Sequence, residues 1–397
     1  MRPEPPSEVI RDQGSLDRMV AGARAAGRFG IDTEFMRERT YRARLCLVQL
    51  NVAGTIVLVD PLEEVDLAPL ADLIAAPEVE VILHAGRQDL ELFYERFGAV
   101  PQRVFDVQIA AGFAGFGSSL SYGRLVESVL GAKIEKGESY TDWCRRPLSD
   151  AQLAYAADDV RYLIDAADAL ERELAEKNRL DSIRAEMAAL EREETFAVDP
   201  ERAYLRVGGR GALSGKQLGI LREIARWREE TASRRDVPRG WIVKDQTLIE
   251  IARRQPGSLD ALKDVRGMNA KEAERSGRAI LAAIKAGREG GAIEKGRAPS
   301  RSAQARVKMI SGMVDALIRA RCEAADVATD LVATRAEVEA VLLDLFAGTL
   351  DESKHRVLQE WRRDLVGDAI LGLARGRIGL RAIDRPPYVE EVDVHAG

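Results

Sequence analysis

Residue types that build zinc and thiol redox sites are scarce in this chain of 397 residues. It contains three histidines and three cysteines, and no Cys-x-x-Cys motif is present. Neither a zinc site nor a Cys-x-x-Cys redox pair is therefore predicted, and Cys46, Cys144 and Cys322 are expected to be buried thiols. Any metal ion would be held by oxygen ligands, which favours Mg²⁺ or Mn²⁺ over zinc.

Aromatic residues and long apolar runs are also scarce. The aromatic content of 5% argues against a large all-β architecture. No run approaches the roughly 18 apolar residues of a membrane-spanning helix, and the first residues lack the apolar core of a signal peptide. We therefore expect a cytoplasmic protein without membrane association, and the length predicts two or three domains.

Charge is distributed unevenly along the chain. Residues 1–197 have a net charge of −12 and residues 198–397 have a net charge of +6, which together give −6. The basic excess is concentrated between Arg202 and Lys308, where 25 basic and 12 acidic residues give +13. Such a segment is typical of a nucleic-acid-binding module, although solvated helix faces would give the same composition.

Hydrophobic periodicity predicts a mixed sheet flanked by helices in the first half of the chain. The first three strands form an antiparallel meander, and two further strands then alternate with helices. The predicted strands are residues 28–35, 43–50, 55–59, 79–83 and 104–105, and the first helices are residues 67–75 and 89–97. From residue 118 onward, the pattern predicts only helices and loops.

Four carboxylates and one tyrosine lie in three short motifs of this half. In residues 30–35 (GIDTEF), the strand period of two places Asp32 and Glu34 on the same face, where they repel each other unless a cation lies between them. In residues 83–90 (LHAGRQDL), Asp89 lies in the first turn of a helix that follows a strand. In residues 155–159 (YAADD), the spacing of four places Tyr155 and Asp159 on one helix face.

The order and separation of these motifs resemble the DEDD superfamily of 3′→5′ exonucleases, in the subclass with a tyrosine before the last aspartate. Three further stretches resemble ribonuclease D in particular: residues 115–120 (GFGSSL), 130–136 (LGAKIEK) and 141–149 (TDWCRRPLS). The resemblance implies a ribonuclease-H-like α/β exonuclease domain. It also implies a hydrolase that releases nucleoside 5′-monophosphates from RNA 3′ ends, with tRNA precursors as substrates.

This resemblance also implies a role for each motif residue. Asp32 would bridge two divalent ions, Mg²⁺ or Mn²⁺. Glu34 and Asp159 would complete the site of the ion that activates water, and Asp89 would serve the other ion. Tyr155 would orient the attacking water and accept its proton. Lys136, Arg145 and Arg146 precede the last motif, where they could bind phosphates or lie in a solvated loop.

The second half of the chain resembles HRDC domains, which are small helical modules that bind nucleic acids. Residues 279–288 (AILAAIKAGR) recur 90 residues later as AILGLARGR, which indicates a duplicated and diverged helical domain, although chance is a rival explanation. The basic residues expected to contact nucleic acid in the first copy are Arg234, Arg235, Arg239 and Lys244. Burial tendencies place the neighbouring Trp241 in the core rather than on a base.

The sequence thus predicts an exonuclease domain (1–197), a linker (198–211), an HRDC domain (212–290) and a divergent HRDC-like domain (303–385), both of the latter all-α. We expect a monomer that acts on RNA. Two alternatives remain open: a DNA 3′→5′ exonuclease of proofreading or repair type, and a catalytically silent nucleic-acid-binding protein.

Overall fold

A computed structural model describes residues 9–134, 141–294 and 300–394. The strands of the N-terminal half are β1 (Val9–Ile10), β2 (Arg28–Met36), β3 (Arg44–Val52), β4 (Thr55–Val59), β5 (Glu80–Leu83) and β6 (Val104–Asp106). Its helices are α1 (Gln13–Ala26), α2 (Ala68–Ile74), α3 (Arg87–Phe97), α4 (Val107–Ala114), α5 (Tyr122–Leu130), α6 (Asp150–Arg161), α7 (Leu163–Glu176) and α8 (Leu180–Met187).

The six strands form one mixed sheet in the order β1-β4-β3-β2-β5-β6. Strands β2, β3 and β4 are the predicted antiparallel meander, while β5 and β6 extend the sheet in parallel on the other side of β2. The predicted fold class is confirmed. The two-residue strand β1 was not predicted, because so short a segment shows no alternation.

The sheet is buried on both faces. One face packs against α1, α2 and α3, with Phe29 and Ile31 of β2 in its core. The other face packs against α6 and α7, and a Cβ on Gly30 would lie 3.2 Å from the side chain of Leu163. This close approach brings α6 and α7 directly onto the face of β2 that also carries Asp32 and Glu34.

The C-terminal half is helical and begins with α9 (Gly215–Arg235), α10 (Arg239–Ile242), α11 (Asp245–Arg254), α12 (Leu259–Lys263) and α13 (Ala270–Glu289), here called the first helical unit. The second helical unit contains α14 (Arg301–Ala325), α15 (Thr329–Val332), α16 (Arg335–Ala347), α17 (Glu360–Arg362) and α18 (Asp368–Ala374). Helices α15 and α16 begin 90 residues after α10 and α11, and Asp236 and Asp326 both end the preceding helix in the left-handed conformation.

A hairpin ends the second helical unit, so the prediction of helices and loops alone from residue 118 onward was wrong. Strand β7 (Ile378–Ala382) pairs antiparallel with β8 (Val389–Asp393). Both strands are short and none of their residues is buried, so their apolar alternation is weak in the sequence.

Both helical units contact the N-terminal domain that contains the six-stranded sheet. Residues 200–206 of the predicted linker form a 3-10 segment, and Ala203 and Val207 are buried in the core of the first helical unit, so this segment is not a free spacer.

Among the described residues, no helix has the length and apolar character that crossing a bilayer would require.

Candidate active site

Strand β2 presents Asp32 and Glu34 in the centre of the sheet. Asp32 lies opposite Gln49 and Glu34 lies opposite Leu47, both on β3. After Glu34 the register shifts, because Phe35 pairs with Leu45 and leaves Cys46 as the extra residue of a β-bulge. Strand β5 pairs only with residues 28–30 of β2, so the backbone that carries the two carboxylates is held by its pairing with β3.

Helix α6 brings Tyr155 and Asp159 to the same place. A capping box formed by Ser149 and Gln152 fixes the start of the helix. The spacing of four residues then directs both side chains toward β2, as predicted. Asp158 points elsewhere and pairs with Arg161 at 2.7 Å.

Three of the four predicted carboxylates converge. Each of Asp32, Glu34 and Asp159 offers one oxygen, and these oxygens all lie within 4.8 Å of one another. We call these three residues the carboxylate cluster. Asp89, in the first turn of α3, is buried and accepts a hydrogen bond from the hydroxyl of Thr33. Asp89 is nevertheless close enough for its charge to raise the pKa of Asp32.

Burial raises the pKa of all four acids, and repulsion from the other acids of the site adds to it for Asp32 and Glu34. Burial is the main cause that raises the pKa of Asp32 well above its usual value, and the charges of Asp89, Asp159 and Glu34 add to it. Burial likewise raises the pKa of Glu34 to about 8, that of Asp159 to about 7 and that of Asp89 to about 6. A bound cation would relieve this repulsion.

Tyr155 is part of the same arrangement. Its hydroxyl donates a hydrogen bond to Asp159, and burial together with the neighbouring carboxylates raises its pKa. The Tyr155 ring packs against Trp143, with ring centroids 6.0 Å apart. Trp143 itself is buried, so it forms a fixed support behind the tyrosine.

Gln49 was not predicted as a site residue. It lies directly opposite Asp32 on the same face of the sheet, is fully buried, and neither atom of its amide group has a hydrogen-bond partner among the described residues. A buried amide ordinarily has partners. A hydrated cation beside Asp32 would supply them, so this orphaned amide and the all-oxygen donor set both fit a hard divalent ion.

The basic residues predicted to hold phosphates differ in their availability. Arg145 is exposed, while Lys136 lies outside the described residues. Arg146 is not placed for phosphate binding, because its guanidinium donates to the buried Asp60 at 2.5 and 2.6 Å and to the carbonyl of Cys46 at 2.6 Å. Its role is therefore to tie residues 143–146 to the sheet.

The cysteines contradict the expectation of three thiols. Cys46 and Cys144 form a disulfide, and Cys322 is a buried free cysteine. The two bonded cysteines are 98 residues apart in sequence, so only the fold brings them together.

In the first helical unit, the residues around α10 form an exposed turn, here called the HRDC turn (residues 234–244). Arg234, Arg239 and Lys244 are exposed, whereas Arg235 pairs with Glu272 at 2.9 Å and also bonds Ser276. The core position expected for Trp241 was wrong: the residue is 63% exposed. Its neighbours Ile242 and Val243 fill the core instead.

The HRDC turn is linked to the exonuclease fold by a short contact path. The hydroxyl of Tyr41, in the loop after β2, donates to Glu229 of α9 at 2.5 Å. Arg239 pairs with the same glutamate at 3.4 Å. The loop that follows the site-bearing strand therefore touches the base of the HRDC turn.

Comparison with known proteins gives consistent matches. Residues 7–175 match the 3′-5′ exonuclease family and residues 217–284 match the HRDC domain family. The chain is 41% identical to ribonuclease D of Gluconacetobacter diazotrophicus over 94% of both chains, and 39% identical to ribonuclease D of Acidiphilium cryptum over 99% of this chain and 100% of that one. The crystal structure of Escherichia coli RNase D, described as an exoribonuclease involved in structured RNA processing, matches with a TM-score of 0.80 at 29% identity, covering 93% of this chain and 99% of that one.

Proposed function

The chain belongs to the ribonuclease D family and is a 3′→5′ exoribonuclease, and on this premise we propose that Asp32, Glu34, Asp89 and Asp159 hold two divalent ions, Mg²⁺ or Mn²⁺, at its active site. The observation that carries the proposal is the convergence of the carboxylate cluster, whose three oxygens lie within 4.8 Å of one another. The raised pKa values of these acids support it, because they identify a site whose charge is not balanced by protein groups.

The four acids would bind different ions of the pair. Asp32, whose pKa is raised by the charges of all three other acids, would serve both ions, Glu34 and Asp159 one of them, and Asp89 the other. When bound, such a pair of ions supplies a water of lowered pKa and neutralises charge on the leaving 3′ oxygen. Thr33 holds Asp89 in place through its hydroxyl.

Tyr155 would orient the attacking water. Its hydroxyl proton is donated to Asp159, so its lone pairs are free to accept a hydrogen bond from a water beside the carboxylate cluster. This hydrogen bond supports a role for Tyr155 as an orienting group rather than as a base. Its raised pKa accords with a neutral phenol.

The substrate is proposed from the relatives. Escherichia coli RNase D is described as acting in structured RNA processing, and by this likeness the chain would trim the 3′ tails of tRNA precursors in the cytoplasm as a monomer. The exposed cations and tryptophan of the HRDC turn would hold RNA outside the active site.

The test is release of nucleoside 5′-monophosphates from matched 3′-labelled RNA and DNA in the presence of Mn²⁺. We expect release from RNA by the wild type and none by Asp159→Ala. Asp158→Asn is the matched control, since this neighbouring acid pairs with Arg161 outside the site. Faster digestion of DNA would favour the repair-type alternative, and no release by the wild type would leave a silent binding protein.

A further inference from the structure

The Cys46–Cys144 disulfide joins the two sides of the active site. Cys46 is the extra residue of the β-bulge next to Glu34, so one end of the disulfide is anchored beside a cluster carboxylate. Cys144 follows Trp143, which packs against the ring of Tyr155. The two cysteines, Trp143 and Tyr155 belong to one apolar cluster.

The disulfide is one of two ties on this segment. Arg146 independently fastens residues 143–146 to the sheet through Asp60 and the carbonyl of Cys46. Loss of the disulfide would leave the segment attached through Arg146, which also donates to the carbonyl of Trp143 at 2.8 Å, but would remove the covalent link next to the Trp143 side chain. Asp32 and Glu34 are held by their pairing with Gln49 and Leu47 in the β2–β3 ladder, which remains when the disulfide is reduced.

We propose that the Cys46–Cys144 disulfide is a positioning element for the proposed active site, which holds Trp143 against Tyr155 and makes the rate of hydrolysis sensitive to thiols. This inference rests on the exonuclease function proposed above. Its effect would be on Tyr155 and hence on kcat, because the metal-holding carboxylates are fixed by other contacts.

The reductant is a low-molecular-weight thiol or dithiol. Its thiolate attacks the sulfur of Cys144, which is partly exposed while Cys46 is fully buried. The bond between the two cysteines breaks, and Cys46 leaves as a thiolate and takes up a proton. A second thiol attacks the mixed disulfide, which releases Cys144 and forms the disulfide of the reagent, so two electrons pass from the reagent to the protein.

The experiment compares the oxidised and reduced full-length chain. In denaturant, the oxidised protein should show one titratable thiol, that of Cys322, and the reduced protein three. We expect reduction to lower kcat on RNA by roughly tenfold, and we expect reoxidation to restore it. A tenfold loss is smaller than the about 100-fold loss that a small misplacement of a catalytic group can cause. The affinity for Mn²⁺, measured by titration without RNA, should be the same in both states.

Variants distinguish a specific effect on the position of Tyr155 from a general loss of structure. Cys144→Ser should resemble the reduced wild type in both redox states, and Cys322→Ser should retain the full redox response. In Trp143→Ala, reduction should lower kcat no further, because the contact that transmits the effect is gone. Circular dichroism of the wild type in both states checks the fold without any substitution.

Three results would overturn the inference: equal kcat in both redox states, an equal proportional loss in Trp143→Ala and the wild type, or three titratable thiols that persist after treatment with an oxidised thiol reagent. An active enzyme with redox-independent kcat contradicts this inference alone. A chain inactive in both states contradicts the exonuclease function and this inference together.

Discussion

Asp32 is a residue whose surroundings disfavour its charged form in the metal-free fold, although the proposed function requires that form. It is buried among three other acids, and no cation of the protein is among the causes that shift its pKa. The order and separation of the three motifs, which resemble those of the DEDD exonucleases, identified Asp32, Glu34, Asp89, Tyr155 and Asp159 as candidates. Thr33, Gln49 and Trp143 could not be identified in this way, since their contacts join segments that are distant in the sequence.

The raised pKa values predict how stability depends on pH. In the unfolded chain these acids lose their protons near their ordinary values of 3.8 to 4.5, whereas in the fold the pKa of Glu34 is about 8. Between these limits the folded state binds more protons, so the free energy of unfolding of the metal-free protein should fall as pH rises. Mn²⁺ should therefore raise the Tm more at about pH 8 than at about pH 5, where protons compete for the ligands.

Thermal scans of the wild type, Asp32→Asn and Asp158→Asn test this dependence. Asp32→Asn should show a shallower fall with pH and a smaller response to Mn²⁺, whereas Asp158→Asn should behave as the wild type does. Equal responses of Asp32→Asn and the wild type to Mn²⁺ would remove the proposed metal site.

Thr33→Val should weaken Mn²⁺ binding about tenfold, because residues that orient a metal ligand commonly contribute 10- to 100-fold to affinity. Valine has nearly the shape of threonine but lacks the hydroxyl that bonds Asp89. Calorimetric titration measures the effect, with Thr33→Ser as the control that keeps the hydroxyl. If serine and valine weaken binding equally, packing rather than the hydrogen bond is responsible.

At the scale of elements, the sheet was predictable because its buried strands are apolar and its turns are short. The β7–β8 hairpin was not predictable, since its strands are partly exposed. Trp241 was assigned wrongly because residue type alone sets only an average tendency to be buried. The four-residue helix α10 instead turns Ile242 inward and leaves Trp241 outside.

The HRDC turn yields a prediction at this scale. Trp241→Ala should raise KM for RNA about tenfold with little change in kcat, since stacking of a base on an aromatic ring contributes about 1–3 kcal/mol. Steady-state kinetics on a 3′-tailed RNA measures it. Met309→Ala is a control, because Met309 is a 79% exposed apolar side chain on α14 of the second helical unit. An unchanged KM in Trp241→Ala would exclude stacking at this turn.

At the scale of the whole molecule, the second helical unit is packed firmly onto the exonuclease fold. Arg362 is buried and donates to Glu186 of α8 at 2.5 Å and to the carbonyl of Leu331 at 2.9 Å. Beside it, Trp361 packs against Phe113 of α4 with ring centroids 4.7 Å apart. No sequence motif predicts this interface, because its residues are spread over four elements.

Arg362→Leu should destabilise the protein by about 3 kcal/mol, since it removes the buried guanidinium that bonds the carbonyl of Leu331 and leaves Glu186 only its longer pair with Arg356 at 3.5 Å. Urea unfolding measures the change. Arg363→Leu is the matched control: its side chain is 41% exposed and its ion pairs lie near the surface, so a loss under about 1 kcal/mol is expected. Similar losses in both variants would show that the interface does not depend on the buried pair.

The most direct measurement of the central claim is anomalous diffraction from a crystal soaked with Mn²⁺ and a nucleoside 5′-monophosphate. We predict two peaks about 3.5–4 Å apart, with Asp32 in contact with both, Glu34 and Asp159 beside one and Asp89 on the side of the other. A carboxylate cluster without a manganese peak, while ions bind elsewhere on the protein, would contradict the account.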